Sequence, residues 1–277
     1  MRTIVHLSDL HFGRIDYALI EPLVATIHEM RPSVIAVSGD LTQRARSWQF
    51  EEARRFLDRL PTPQLIVPGN HDVPLHNVFA RFLRPLDKYR FYITPDLEPF
   101  YADSEIAIAG INTARSLTRK NGRINENQIG RVRERLCSLG DEVTKIVVTH
   151  HPFDLPEGIG ENELVGRAAM AMAILAGCGA DLLLAGHLHL SHTGHTAKRY
   201  KTAGHSALVV QAGTATSTRG RGEANSFNRI RISHPHITVE RFAWQPAQNL
   251  FANISTENFQ HTPDGWARLA DGQPSQQ

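Results

Sequence analysis

Cysteine is scarce in this sequence, with only two in 277 residues. Cys137 lies in a helix-like pattern, and Cys178 stands between Gly177 and Gly179. Two isolated cysteines supply neither a disulfide framework nor a thiolate metal motif. We therefore predict no disulfide framework and expect both side chains to be small residues that are buried or half-buried.

A strong charge of one sign is also absent. The 30 basic and 28 acidic side chains leave a formal net charge of +2. A general nucleic-acid-binding protein carries a basic surface that neutralises phosphates, and this balance does not provide one. We therefore expect no stable nucleic-acid partner.

Long apolar runs are missing as well. No apolar stretch reaches the roughly 20 residues that a helix needs to cross a bilayer. Residues 1–7 already form a strand pattern and lack the charged start and cleavage site of a secretory signal. We therefore predict a protein without a membrane span that is located in the cytoplasm. The oligomeric state stays open, with a homodimer as one alternative.

The composition that remains is that of a folded globular protein. Hydrophobic residues make up 41% of the chain and charged residues 21%, which is close to the average for such proteins. No internal repeat or low-complexity linker divides the sequence. We predict a single domain over residues 1–252, followed by a polar, flexible tail over residues 253–277.

Short apolar segments alternate with helical patterns along most of the chain. Five of them are predicted to be buried strands: residues 3–7, 34–37, 65–67, 145–149 and 181–185. Strand–helix–strand succession favours parallel pairs, and open α/β sheets bind ligands at the carboxyl ends of their strands. Three later segments follow one another without helices, and we predict antiparallel pairing there: residues 207–211, 228–232 and 236–242.

Polar side chains follow each of the five predicted strands. They are Asp9, His11, Asp40, Asn70, His71, His150, His187 and His189. An Asp-x-His or a Gly-Asp after a strand is more often a turn or a helix cap. The Gly-Asn-His-Asp and Gly-His-x-His segments are more specific, since several polar side chains must face one place. Carboxylate, imidazole and amide donors suit divalent Mn, Fe, Co, Ni or Zn, so the set predicts a metal site.

The order and spacing of these motifs resemble the calcineurin-like metallophosphoesterase superfamily over roughly residues 3–190. The Gly-Asn-His-Asp form is most similar to class III cyclic nucleotide phosphodiesterases and their bacterial relatives. The resemblance implies an α/β fold with four layers, α-β-β-α, in which helices flank two mixed sheets. It also implies two divalent metal ions, of Mn, Fe, Zn or Co, at the carboxyl ends of the strands.

The resemblance further implies a role for each residue of the set. One ion would be held by Asp9, His11 and His189, the other by Asn70, His150 and His187, and Asp40 would bridge them. Hydroxide, rather than a side chain, is the expected nucleophile. His71 is the expected catalytic residue, which stabilises charge or protonates the leaving oxygen. Asn70 and His71 are also the expected substrate-binding residues.

Several neighbours of this set keep two interpretations. Asp72 either orients a neighbouring group or is a turn carboxylate. Arg219 and Arg221 either contact a substrate phosphate or lie in a solvated turn, and the turn is favoured. The apolar pattern between residues 74 and 92, with Phe79, Phe82, Leu83, Leu86 and Tyr89, favours a buried core over a membrane contact.

We therefore predict a metal-dependent phosphoric ester hydrolase. The favoured activity is a phosphodiesterase that hydrolyses small phosphodiesters such as cyclic nucleotides. Two alternatives remain, a pyrophosphate hydrolase that acts on a lipid-linked nucleotide and a metal-binding scaffold without catalysis. Superfamily likeness does not fix a substrate, because one architecture supports many reactions.

Overall fold

The computed structural model describes residues 1–117, 120–196, 199–200, 206–219, 222–263 and 265–269. Within these ranges, six α-helices are α1 (Ile20–Met30), α2 (Ser47–Leu57), α3 (Val78–Leu83), α4 (Asp87–Tyr92), α5 (Glu126–Leu136) and α6 (Ala168–Gly177). Short 3₁₀ turns lie at Tyr17–Leu19, Asn70–Asp72 and Glu161–Glu163. Arg221, which the sequence offers as a substrate contact, lies outside the described residues.

Seven strands form the first sheet, in the order β13-β12-β11-β10-β1-β2-β3. Their bounds are β1 (Arg2–Leu7), β2 (Val34–Val37), β3 (Gln64–Ile66), β10 (Ser226–Ser233), β11 (His236–Gln245), β12 (Leu250–Thr262) and β13 (Gly265–Arg268). The first three strands run parallel, whereas the remaining pairs are antiparallel. The sheet is therefore mixed.

Six strands form the second sheet, in the order β4-β5-β6-β7-β9-β8. Their bounds are β4 (Phe100–Ala102), β5 (Ile106–Ile111), β6 (Thr144–Thr149), β7 (Leu182–Ala185), β8 (His192–His195) and β9 (Leu208–Gln211). The sequence predicts antiparallel pairing for residues 207–211, which form β9. This prediction is wrong for the pairing of β9 with β7, because these two strands are parallel. It is correct for β10 and β11.

Three apolar clusters hold the layers together. The cluster between the sheets includes Ile4 and Ile146, which are fully buried. A second cluster packs α1 and α2 against the first sheet, and a third packs α5 and α6 against the second. Strands β2, β5, β6 and β7 are buried along their whole length, as expected of strands covered on both faces. The four-layer α-β-β-α fold is confirmed.

Local sequence explains where several helices begin and end. The side chain of Asn125 accepts from the backbone N–H of Gln128, and Gln128 accepts from the N–H of Asn125. This reciprocal capping satisfies two N–H groups that have no partner inside α5. α1 ends where Arg31 adopts a left-handed conformation, directly before Pro32.

The predicted tail is wrong over residues 253–263 and 265–268. β12 pairs with β11 along almost its full length, and β13 pairs with β12. Phe259 and Trp266 are 1% and 3% exposed and belong to the cluster between the sheets. The sequence of β12 did not indicate a strand because it is mainly polar, and residues 253–257 lie mostly on the surface. The end of the predicted tail, residues 270–277, lies outside the described residues.

Two further expectations also change. Cys137 and Cys178 form a disulfide at the ends of α5 and α6, with their Cα atoms 4.3 Å apart. The two cysteines are 41 residues apart in sequence, and the fold alone brings them together. In the apolar pattern of residues 74–92, Leu86 and Tyr89 are buried, but Phe79, Phe82 and Leu83 are exposed.

Candidate metal centre

Five parallel strands from both sheets deliver the site. All eight polar residues that the sequence singles out follow β1, β2, β3, β6 or β7 at the carboxyl end, and the structure brings them together. The donors come from loops with unusual backbones, since five of these residues have φ between +52° and +73°: Asp9, His11, Asp40, His187 and His189. Left-handed backbone is costly for residues other than glycine, so this strain is concentrated where the side chains converge.

Close backbone approach also requires glycine at two of these loops. A Cβ on Gly69 would lie 2.1 Å from Oδ1 of Asp40, and one on Gly186 would lie 1.8 Å from Oγ of Ser8. Any side chain at either position would collide with the groups that form the site. The glycines in the Gly-Asn-His-Asp and Gly-His-x-His segments therefore have a steric role.

The first donor set consists of Asp9, His11 and His189. Oδ1 of Asp9 lies 3.1 Å from Nε2 of His189 and 3.5 Å from Nε2 of His11. The two imidazole Nε2 atoms lie 3.1 Å apart. The side chains of Asp9 and His11 are fully buried, and that of His189 is 8% exposed.

The second donor set consists of Asn70, His150 and His187. Oδ1 of Asn70 lies 3.1 Å from Nε2 of His150 and 3.1 Å from Nδ1 of His187. Asp40 lies between the two sets, because its Oδ1 is 3.4 Å from Nε2 of His150 and its Oδ2 is 3.7 Å from Nε2 of His11. One carboxylate thus faces both groups.

His151 also lies within reach of the second set, since the ligand atoms of His150, His151 and His187 are within 4.8 Å of one another. Both ring nitrogens of His151 already have partners, however. Nδ1 lies 2.7 Å from Oγ1 of Thr113, and Nε2 lies 2.7 Å from the carbonyl of Lys120. Asn70, whose amide oxygen points at the cluster, is therefore the better third donor.

These residues fit divalent metal ions. Each set offers three oxygen or nitrogen donors that converge on one point, with Asp40 as a fourth for both, and no thiolate is present. The buried Oδ1 of Asp9 makes no hydrogen bond of standard geometry within the described residues, which leaves it available as a metal ligand. Such a donor set suits Mn, Fe, Co or Zn.

The charges of the cluster act on one another strongly. Burial alone would raise the pKa of Asp9, but the neighbouring imidazoles of His189 and His11 hold it well below its ordinary value. Burial opposes protonation of His150, yet the charge of Asp40 outweighs it and raises the pKa of His150 to about 9. Without metal, the cluster therefore holds protons that a divalent ion has to displace.

Asp72, whose role the sequence left open, fastens two of the loops to each other. Its buried carboxylate accepts hydrogen bonds from the backbone N–H groups of Gly69, Leu41 and Thr42, and from Oγ1 of Thr42. Burial and the charge of Asp40 raise the pKa of Asp72 to about 7, against the effect of these backbone bonds. Asp72 thus joins the loop after β2 to the loop after β3.

His71 lies beside the donor sets, with its ring edge-on to that of His11 and the two ring centroids 4.9 Å apart. Its backbone N–H donates to Oδ1 of Asp40, 2.8 Å away, and its Nδ1 lies 2.8 Å from the carbonyl of Gln43. Only a protonated Nδ1 can donate to that carbonyl, so the ring hydrogen lies on Nδ1. The other ring nitrogen, Nε2, lies 3.0 Å from the guanidinium of Arg219. The ring is half-buried and opens onto the cavity.

Four charged residues at the site were missed or discounted in the sequence. Arg219, for which a solvated turn is favoured, lines a cavity of about 300 Å³ together with Arg44 and Lys120. The carboxylate of Glu163 lies 3.2 Å from Nε2 of His187 and forms an ion pair with Lys120. His187 and Lys120 lower the pKa of Glu163 to about 2. No local motif marks these residues, since they come from separate loops.

The sequence profile of the calcineurin-like phosphoesterases matches residues 2–191. The chain belongs to this family. The match confirms the predicted superfamily and makes the chain a metallophosphoesterase, a class of hydrolase whose members use a dinuclear centre of divalent ions. In the described part of the chain, no helix has both the length and the apolar character that a bilayer crossing requires.

A relative and two solved structures resemble this metallophosphoesterase. The glycerophosphodiester phosphodiesterase GpdQ of Enterobacter lignolyticus (strain SCF1) is 27% identical over 164 residues, covering 55% of this chain and 58% of that protein. The match thus spans little more than half the length of that relative. A dimetal phosphatase from Danio rerio has a TM-score of 0.60 at 13% identity, covering 92% of this chain and 98% of that one. Purple acid phosphatase PPD1 from yellow lupin (Lupinus luteus) has a TM-score of 0.65 at 10% identity, covering 91% and 52%. At these identities the two structures support the fold alone.

Proposed function

We propose that this chain is a dinuclear, metal-dependent phosphodiesterase that hydrolyses small phosphodiesters, with cyclic nucleotides as one substrate class. The observation that carries the proposal is the pair of largely buried donor sets that share Asp40. One carboxylate between two sets of three donors is an arrangement that can hold two neighbouring ions. The phosphodiesterase relative supports the choice of a diester.

In this proposal Asp9, His11 and His189 would hold one ion, and the second donor set would hold the other. The second set consists of Asn70, His150 and His187, and Asp40 would supply a carboxylate oxygen to each ion. When bound, the two ions supply Lewis-acid charge and lower the pKa of water towards neutrality. The remaining work belongs to the side chains around the cavity.

His71 is the proposed catalytic residue. Its Nδ1–H donates to the carbonyl of Gln43, which fixes the ring and aims Nε2 at the cavity. In its protonated form, His71 donates the proton on Nε2 to the leaving oxygen, a step that is worth about 10²- to 10⁴-fold in rate. Arg219, now 3.0 Å from that atom, turns a guanidinium N–H to a phosphoryl oxygen when substrate enters.

The cavity limits and orients the substrate. At about 300 Å³ it lies at the small end of ligand sites, which favours a compact diester. Arg44, Lys120 and Arg219 line it and give it a positive potential that attracts an anionic substrate. Asn70 and His71 contact the phosphoryl group.

The experiment is a substrate panel with protein that has been stripped by chelation and reloaded with Mn²⁺. Cyclic AMP, a glycerophosphodiester, a generic aryl diester and a lipid-linked nucleotide pyrophosphate are compared. The proposal expects Mn²⁺-restored hydrolysis of at least one small diester, with lower kcat/KM on the pyrophosphate. A preference for the pyrophosphate would favour the lipid-linked alternative. Full metal loading without hydrolysis of any phosphoester would favour the scaffold.

A cytoplasmic location and a homodimer stay predictions.

A further inference from the structure

Helix α3 carries its apolar side chains outward. Its large apolar residues are 65% exposed at Val78, 68% at Phe79, 50% at Phe82 and 64% at Leu83. The buried residue of this helix is instead a charged one, Arg81, whose guanidinium donates to the carbonyl of Pro74 at 3.1 Å. The usual arrangement of an amphipathic helix on a globular protein is thus inverted.

The four apolar residues form one continuous surface. They stand at positions i, i+1, i+4 and i+5 of the helix, so they share one face over two successive turns. Single exposed apolar side chains are common on proteins, whereas a contiguous patch of large ones marks a contact surface. We call Val78, Phe79, Phe82 and Leu83 the α3 patch.

The exposed charges that follow the α3 patch in the chain are mainly basic. Arg84, Lys88 and Arg90 follow it and are exposed. Between residues 74 and 92 the single acidic residue is Asp87, which lies 3.8 Å from Arg84. Apolar residues beside exposed basic ones fit the boundary between the headgroups and the acyl chains of an anionic bilayer.

This charge pattern favours an anionic lipid surface over a second copy of the chain as the binding partner of the patch. A second copy that met α3 across a two-fold axis would bring the same basic residues together, and like charges in contact oppose association. An anionic lipid surface instead pairs each of them with a negative headgroup. Each basic residue near such a surface strengthens binding by about fivefold.

The α3 patch also lies next to the cavity at the candidate metal centre. Leu75 lines that cavity together with His71, and α3 begins only three residues later. Three residues of chain span at most about 11 Å. A surface that covers α3 therefore lies near the mouth of the site.

We propose that the α3 patch docks this protein on the surface of an anionic phospholipid bilayer. The apolar side chains enter the boundary between headgroups and acyl chains, and Arg84, Lys88 and Arg90 contact the headgroups. The protein binds from one side and is not inserted across the bilayer. The proposal does not depend on the metal ions or on the phosphodiesterase activity.

Vesicle flotation of the full chain tests the proposal. The expected result is binding to vesicles of phosphatidylcholine with phosphatidylglycerol, weaker binding to phosphatidylcholine alone, and a loss of binding as salt increases. The double variant Phe79→Ser/Phe82→Ser should lose at least about tenfold in vesicle affinity, because two apolar anchors are removed. Ile254→Ser, an exposed apolar residue on β12 at 49% exposure, is the matched control and should bind like the wild type.

Three outcomes would overturn the proposal. One is a wild-type chain that stays in solution with both kinds of vesicle. Another is equal vesicle affinity of the wild type and Phe79→Ser/Phe82→Ser, with circular dichroism showing that both are folded. The third is a light-scattering mass that halves in the double variant, which would assign the patch to a second copy of this chain.

Discussion

At the scale of single residues, the site contains side chains that converge on two points and side chains that surround them. Seven side chains face two neighbouring positions, and Asp40 faces both. His71 and Glu163 each contact this set without joining it: His71 through its backbone, Glu163 through His187. Substitution of His71 should therefore lower catalysis without changing metal binding, whereas substitution of Glu163 should weaken metal binding itself.

His71→Ala should lower kcat by about 10²- to 10⁴-fold, because the proposed proton donor to the leaving oxygen is lost. The metal content should stay at the wild-type value, since the ring of His71 is not among the seven donors. Activity and metal content are measured on the same preparation, with the exposed His76→Ala as control. A parallel fall in metal content would make His71 a ligand instead.

Glu163 is expected to position His187. By accepting from Nε2 of His187 at 3.2 Å, its carboxylate turns Nδ1 towards Asn70 and raises the basicity of the ring. Glu163→Ala should weaken binding of one of the two ions by about 10- to 100-fold, as measured by calorimetric titration with Mn²⁺. Glu163→Gln, which keeps an acceptor oxygen, should recover part of that loss.

The control for this experiment is Glu161→Gln. Glu161 lies two residues away, its side chain is 84% exposed, and it pairs with Arg199. Its loss should leave both metal affinities unchanged. If Glu163→Ala and Glu161→Gln have the same effect, Glu163 has no positioning role.

At the scale of elements, Asp72 joins two loops that carry proposed metal ligands. Its carboxylate accepts from backbone N–H groups after β2 and after β3. Asp72→Ala leaves these buried donors without partners, at a cost of about 1–3 kcal/mol for each group left unsatisfied. We expect a lower free energy of unfolding and weaker metal binding, measured by denaturant titration and calorimetry.

Asp58→Ala serves as the control for Asp72, because its carboxylate is 63% exposed and pairs with Arg54 across one helical turn. Its effect on stability should be within about 0.5 kcal/mol. Equal stabilities of the Asp72 and Asp58 variants would mean that the carboxylate of Asp72 does not hold the loops together.

The elements also show what sequence can and cannot predict. Strands β1, β2, β3, β6 and β7 are short apolar runs that end in polar motifs, so both the strands and their ligand-type residues follow from local pattern. Glu163 and Lys120 were missed because their ion pair joins loops 43 residues apart. Phe79 and Phe82 were predicted to be buried because periodicity reveals a face of the helix but not what covers it.

At the scale of the whole molecule, the last two strands complete the first sheet. Phe259 on β12 is 1% exposed and packs in the cluster between the sheets. Phe259→Ala should therefore cost about 3–5 kcal/mol of stability, measured by denaturant unfolding. Phe91→Ala, at a ring that is 81% exposed, should cost far less. If Phe259→Ala and Phe91→Ala lower the stability equally, β12 does not contribute to the core.

The central claim is that two ions share one bridging carboxylate and act together on a phosphodiester. The most direct measurement is the titration of chelated protein with Mn²⁺, in which bound metal and hydrolysis of an aryl diester are followed together. The claim predicts that activity rises until two equivalents are bound, and that Asp40→Ala loses both bound metal and activity. Full activity with one equivalent, or an Asp40→Ala variant that binds two ions as the wild type does, would contradict it.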